Sequence, residues 1–318
     1  MLEIDHLTLS GGTRDRLHDV SVKISPGRTA LVGYSGAGKT SLLNVLAGFE
    51  KPDRGSVKWT ASRNDSNRLP LYWIPQNGGL WPQMTAIQHL STVSKNADCA
   101  DEILSLLNLS HRRMAYPGEL SEGERSRLSL GRALASRAAV LLMDEPLSHV
   151  DPVRKPEFWN VIRTWIDREG ISIVFSCHEP DIVLKHSEHI VCLQDGRIVY
   201  SGRTTDLYHQ PPSRIVGEFV GSLNWFDADD RHFAMLPGLQ TKDRQPGSNR
   251  TAFGIRPERL QLKPDPTGLL EMVQDPLPGP ISESVVRHVE SGQQKTIYHQ
   301  GNSTVTKGNR VTLQLAGN

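Results

Sequence analysis

No apolar run in this 318-residue chain approaches the ~18 residues that a membrane-crossing helix needs. The longest candidates, Val140–Met143 and Ile171–Phe175, have the length of buried strands. The first residues, Met1 to His6, show no basic patch followed by an apolar stretch, which argues against a secretory leader. Cysteine is scarce: Cys99, Cys177 and Cys192 are an odd number without metal-ligand spacing. They read as reduced thiols of a cytosolic protein and leave no room for a disulfide framework. Neither sign of charge dominates, with 36 Lys+Arg against 35 Asp+Glu, so no nucleic acid is expected as a partner. Residues 1–33 contain no Phe, Tyr or Trp, and the chain has no internal repeat or low-complexity tract. Under these limits, a chain that works at a membrane must dock onto a partner that spans it.

The length suits two domains. Up to about residue 220, strand and helix signals alternate, as a sheet covered by helices requires. Leu2–Leu9 and Val20–Ile24 alternate like strands, and Thr29–Val32 runs into a glycine-rich loop. Ser41–Leu46 reads as the helix that follows. Val57–Trp59 and Leu71–Ile74 read as strands on either side of a polar stretch, Ala61–Arg68. Asp101–Leu107 and Glu124–Leu134 have helical spacing. Val140–Met143, Ile171–Phe175 and Ile190–Leu193 are continuous apolar runs, the pattern of buried parallel strands. Asp195-Gly196 supplies a hairpin turn into Ile198–Tyr200. Beyond Gly221, prolines recur and short β-like runs (Phe253–Ile255, Val285–Val289, Val311–Leu315) replace helical patterns. The expected domains are 1–220, α/β, and 221–318, small and all-β.

Gly33, Tyr34, Ser35, Gly36, Ala37, Gly38, Lys39 and Thr40, followed by Ser41, fit the phosphate-loop pattern between a strand and a helix. Glycines let backbone N–H groups turn inward around phosphate oxygens, and the helix start aims its positive dipole end at the same anion. In that pattern Lys39 reaches the β- and γ-phosphates and the Thr40 hydroxyl ligates Mg²⁺. This marks a nucleotide site, with ATP as the expected ligand. The apolar strand Val140–Met143 ends in Asp144 and Glu145. That places Asp144 near the metal and Glu145 over the γ-phosphate, where a positioned base activates water.

The segment Leu120, Ser121, Glu122, Gly123, Glu124 lies just ahead of the acidic strand. With it the sequence resembles the nucleotide-binding subunits of ABC transporters, whose LSGGQ-like segment occupies that place. The resemblance covers residues 1 to about 220. It implies a P-loop NTPase with a RecA-like core carrying antiparallel β and helical subdomains. It also implies roles: Gln76 as the Q-loop glutamine contacting Mg²⁺ and the attacking water, Ser148–Asp151 as the D-loop, and His178 as the switch histidine. Ser121 and Gly123 are then nucleotide-binding residues for the ATP held by a second copy, so the resemblance implies a homodimer. Residues 77–88, including Trp81 and Met84, would receive a membrane subunit, with local core packing as the equal alternative for both side chains.

Two departures stand out. Glu122 replaces a glycine and Glu124 a glutamine of the family motif; Glu122 adds negative charge near phosphate unless its side chain turns to Arg125 or solvent. The aromatic that usually stacks on adenine is missing, a loss of about 0.5–1.5 kcal/mol. Arg14, Arg16, His6 and His18 are the planar candidates to replace it.

The tail selects a branch. Pro211–Asn224, Phe253–Leu260 and Lys307–Leu315 resemble segments of importer subunits of the maltose, polyamine, ferric-iron and sulfate/molybdate type, which carry an OB-like (TOBE) domain. The resemblance implies an ATPase peripheral to the cytoplasmic face of the inner membrane, bound to permease subunits and served by a solute-binding protein. A soluble nucleotide-binding regulator with low turnover is the alternative. A coiled-coil DNA-repair ATPase does not fit the short Ser41–Glu119 interval, and a P-loop kinase leaves Leu120–Glu124 and His178 unexplained.

Overall fold

The computed structural model describes residues 2–12, 14–59, 68–94, 97–236, 239, 252–301 and 305–316. The chain divides into two units, Met1–Thr205 and Asp206–Asn318. The expected polar stretch between two strands lies, over 61–67, outside the described residues.

In the first unit, β1 (Leu2–Leu9) and β2 (Leu17–Ile24) send alternate side chains into the core. β3 (Arg28–Val32) is buried over its last four residues and leads through the glycine loop into α1 (Lys39–Leu46). β4 (Arg54–Trp59) pairs with β1, giving an antiparallel sheet in the order β2-β1-β4. Its apolar face joins Leu42, Leu43 and Leu46 of α1 in one cluster with Leu142 and Val174 from the larger sheet. Each fully buried side chain of this kind contributes roughly 1.5–3 kcal/mol.

The larger sheet is built from β5 (Leu71–Ile74), β6 (Val140–Asp144), β7 (Ser172–Ser176), β8 (His189–Gln194) and β9 (Arg197–Arg203), with β3 inserted. Its order is β5-β6-β7-β3-β8-β9. β5, β6, β7, β3 and β8 are parallel, and β9 runs antiparallel to β8. The continuous apolar runs are explained by burial on both faces: Leu141, Leu142, Met143 and Phe175 are fully buried. Asp195 and Gly196 both take positive φ, as a tight hairpin turn demands.

Helices α2 (Ala86–Val93), α3 (Ala97–Leu106) and α4 (Glu122–Ser136) pack on one another, while α5 (Lys155–Glu169) and α6 (Pro180–His186) connect later strands. Parallel pairing aligns Ile74 with Met143, Asp144 with Ser176, and Leu31 with Ser176. The carboxyl ends of four neighbouring strands therefore meet at one edge, which is where ligands bind in such sheets.

Helix α7 (Thr204–His209) contains the division between the two units. The second unit holds α8 (Arg214–Glu218), β10 (Asn224–Phe226), α9 (Arg231–Ala234) and β11 (Phe253–Ile255), then β12 (Leu260–Pro264), β13 (Leu270–Met272), β14 (Ile281–His288), β15 (Gln294–Gln300) and β16 (Arg310–Leu315). The last five form an antiparallel sheet in the order β12-β16-β13-β14-β15, the strand number of an OB-like domain. Short helices α8 and α9, with the last residues of α7, accompany the strands of this unit. Phe226, Phe233, Val286, Ile297 and Leu313 fill its core. Arg256, buried, donates to the carbonyls of Tyr208, Gly217, Gly221 and Ser222, so its position in the Phe253–Leu260 segment serves the backbone of its own unit.

Candidate functional site

The loop between β3 and α1 has the backbone that its glycines permit. Gly38, the N-cap of α1, has φ 104°, and a Cβ there would meet the Arg16 carbonyl oxygen at 2.8 Å. A side chain at this position is excluded on both counts. The helix begins at Lys39 rather than Ser41 because the loop winds directly into it. Lys39 is buried and bends back, its Nζ donating to Gly33 O at 2.8 Å and Tyr34 O at 3.1 Å. Burial pushes its pKa below the ordinary lysine value, while the Glu145 and Asp144 carboxylates pull it the other way.

At the end of β6, Asp144 is buried and accepts two hydrogen bonds: from Thr40 Oγ1 at 2.7 Å and from Ser176 Oγ at 2.5 Å. Ser176 in turn accepts from the Glu145 amide at 2.9 Å. Glu145 itself has φ 48°, in the left-handed region, which costs a non-glycine residue about 1–2 kcal/mol. Gln76 Nε2 lies 3.5 Å from Glu145 Oε2, and His178 Nδ1 lies 3.4 Å from Glu145 Oε1. The ends of β5, β6, β7 and β3 thus bring Gln76, Asp144, Glu145, His178, Lys39 and Thr40 into one neighbourhood. Cys177, between Ser176 and His178, is buried; its thiol is pushed up to about 11 and stays protonated.

Thr40 and Asp144 present hard oxygen donors 2.7 Å apart. They fit Mg²⁺, which takes one or two protein oxygens and completes its shell with water and phosphate. Among the described residues no cluster of three or more His, Cys, Asp or Glu could hold a metal by itself.

Ser121 and Gly123 sit at the start of α4. Ser121 is its N-cap: its hydroxyl accepts from the Glu124 amide at 3.2 Å, and Glu124 Oε2 accepts from the Ser121 amide at 2.9 Å. Glu124 also accepts from Arg112 Nε at 3.0 Å. Burial raises the pKa of this carboxyl, but the Ser121 and Arg112 bonds outweigh it and hold it at about 2. Glu124 is therefore a helix cap whose carboxylate is engaged by the Ser121 amide and Arg112. A Cβ on Gly123 would meet the His149 carbonyl oxygen at 3.1 Å, so glycine lets the turn approach the 146–151 segment. Ser126 Oγ, donating to Pro146 O at 2.6 Å, reinforces that approach.

Sequence reasoning missed Ser176, Ser126 and the partners of Glu124; only Ser176, a polar residue closing an apolar strand, carried a readable signal. Trp81 is half-buried, stacked with His89 at 5.4 Å between ring centroids and with the Arg132 guanidinium 4.3 Å from its ring. Of the planar residues near the missing aromatic, Arg16 pairs with Glu50, His6 with Asp19 and His18 with Asp15.

A phosphate loop entering a helix beside a strand that ends in paired carboxylates defines a P-loop nucleotide-binding protein. Residues 17–148 match the family model described as ABC transporter. The spermidine/putrescine import ATP-binding protein of Pseudomonas aeruginosa is 30% identical, over 82% of this chain and 78% of its own. The Fe(3+) ions import ATP-binding protein of Pectobacterium atrosepticum is 29% identical over 83% and 81%. The molybdenum import ATP-binding protein of Pasteurella multocida is 29% identical over 91% and 83%. A solved ATP-binding cassette, dimeric in a post-hydrolysis state with ADP and Pi, shares the fold with a TM-score of 0.56, at 22% identity over 64% of this chain and 98% of its own. The chain belongs to the ABC transporter family of ATP-binding proteins.

Proposed function

We propose that this chain is the ATP-hydrolysing subunit of an ABC importer, working as a homodimer beneath separate membrane subunits. The observation that carries the reading is the convergence of Gln76 and His178 on Glu145, with Asp144 tied to Thr40 beside the phosphate loop. Gly33 to Ser41 would hold the phosphates, and Thr40, Asp144 and Gln76 would hold Mg²⁺, which supplies charge neutralisation to the phosphate oxygens when bound. Glu145 takes a proton from the attacking water, with Gln76 and His178 fixing its carboxylate between them. Ser121 and Gly123, exposed or half-exposed on α4, complete the site of the partner copy.

Support for the importer branch comes from the relatives. All three are named as import proteins and match over most of the chain, beyond the ATPase unit. Their names span iron, polyamines and molybdenum at nearly equal identity, which supports a reading in which membrane subunits and a solute-binding protein choose the cargo. Among the described residues no helix is long and apolar enough to cross a membrane, which suits peripheral attachment at the cytoplasmic face.

The test compares Glu145→Gln with the unmodified chain, both with membrane subunits present. Loss of the base should lower ATP turnover by about 10²–10⁴-fold while ATP-bound dimers accumulate. Equal inactivity of the two proteins overturns the enzyme reading in favour of a nucleotide-binding regulator.

A further inference from the structure

Glu122 puts a carboxylate on the turn that, in the reading above, faces the phosphate of a partner's ATP. Its side chain is 68% exposed, with Oε2 3.4 Å from His149 Nδ1 and Oε1 3.8 Å from Arg125 Nη2. Glu122, Asp144 and Glu145 line one cleft of about 180 Å³ together with Gln76, and Arg125 and His149 are cationic or proton-donating groups on the same walls. Arg125 is partly committed elsewhere, its Nη1 donating to Leu120 O at 3.0 Å. His149 is the nearer partner of Glu122.

The backbone around His149 is held by contacts that do not involve its imidazole. Gly123 packs close to the His149 carbonyl, and Ser126 bonds Pro146 O. The ring thus stands within ion-pair reach of Glu122, with the chain path already fixed. We infer that His149 is a positioning residue which holds the Glu122 carboxylate aside, so that the phosphate of an ATP bound by a second copy can approach Ser121 and Gly123. The inference rests on the composite-site reading. A like charge placed against phosphate opposes closure, and neutralising or turning it away removes the opposition.

The test uses the full-length chain carrying Glu145→Gln, so that ATP is bound without being consumed. ATP-driven dimerisation is followed by light scattering in four proteins: this parent, and the parent with His149→Ala, Glu122→Gly or both. His149→Ala should need about tenfold more ATP to dimerise. That deficit should shrink as salt is raised, because screening weakens the exposed charge. The double variant should dimerise like the parent, and Glu122→Gly alone at least as well. Binding of a fluorescent ATP analogue to dilute monomer should be the same in all four.

His149→Gln, which keeps a donor, guards against a folding defect and should lie between parent and alanine variant. Parent-like dimerisation of His149→Ala overturns the inference. So does a double variant that keeps the alanine deficit, since His149 would then act on its own segment. If the parent itself never dimerises with ATP, the composite-site reading fails, and the inference falls with it by a different route.

Discussion

Lys39 is buried with its ammonium bonded to two carbonyls of its own loop, and Asp144 beside it accepts from two hydroxyls. Ser121 and Glu122, by contrast, stand exposed at the start of α4, braced from behind by Glu124 and the 146–151 segment. The first region is preorganised inside one chain: its donors and acceptors are already paired with one another, as the phosphate and metal site proposed above requires. The second is rigid in backbone but open in front. A helix cap that spends its own carboxylate on the backbone, as Glu124 does, stiffens a surface without covering it. That combination suits a half-site completed by a second molecule.

Three measurements would sharpen this contrast or break it. Replacing Lys39 with Ala removes the buried cation between the loop and the two carboxylates, and ATP turnover should fall about 10³-fold. Binding of a fluorescent ATP analogue to the single chain should weaken as well. Retention of native binding would show that the interior region is less committed than its hydrogen bonds suggest. His178→Ala removes one of the two groups against Glu145; turnover should drop about a hundredfold while analogue binding to the monomer stays intact.

The smallest effect belongs to the brace of the exposed turn. Glu124 is held at about 2 in the folded chain against 4.5 as its ordinary value. A depressed carboxyl stabilises the fold fully above the unfolded value and loses that contribution as pH falls through the folded one. Stability to denaturant should therefore fall more steeply between pH 5 and pH 2 than it does in Glu124→Gln, where the other depressed carboxyls, such as Glu50 and Asp101, still contribute. At neutral pH the glutamine variant should be less stable by about 1 kcal/mol, since its amide oxygen still accepts from Ser121 while the charge-assisted bond to Arg112 is lost. An unchanged acid arm would mean that the cap is not what stiffens the turn.

Much of the first unit could be read from the chain because its signals are local. Val140–Met143 and Ile190–Leu193 are apolar without interruption, and burial on both faces of a parallel sheet is the arrangement that tolerates this. The phosphate loop is legible from spacing, because glycine, lysine and threonine must fall at fixed distances to wrap a phosphate. The start of α1 was shifted by the loop itself, whose left-handed Gly38 serves as the helix cap. Less was legible at the open region. Glu122 and Glu124 look alike in sequence, yet one turns to His149 and the other caps the helix.

The sequence by itself determined the strand and helix signals, the phosphate loop and the carboxylate pair, since each depends on neighbours a few residues apart, and the family likeness, which lies in the order of such motifs along the chain. Tertiary structure decided the rest. Ser176 reaches Asp144 because β6 and β7 run side by side, Gln76 and His178 meet at Glu145 because their strands end at one edge, and His149 finds Glu122 because Gly123 leaves room for it. These contacts join residues far apart along the chain, and nothing periodic in sequence encodes which of them will touch.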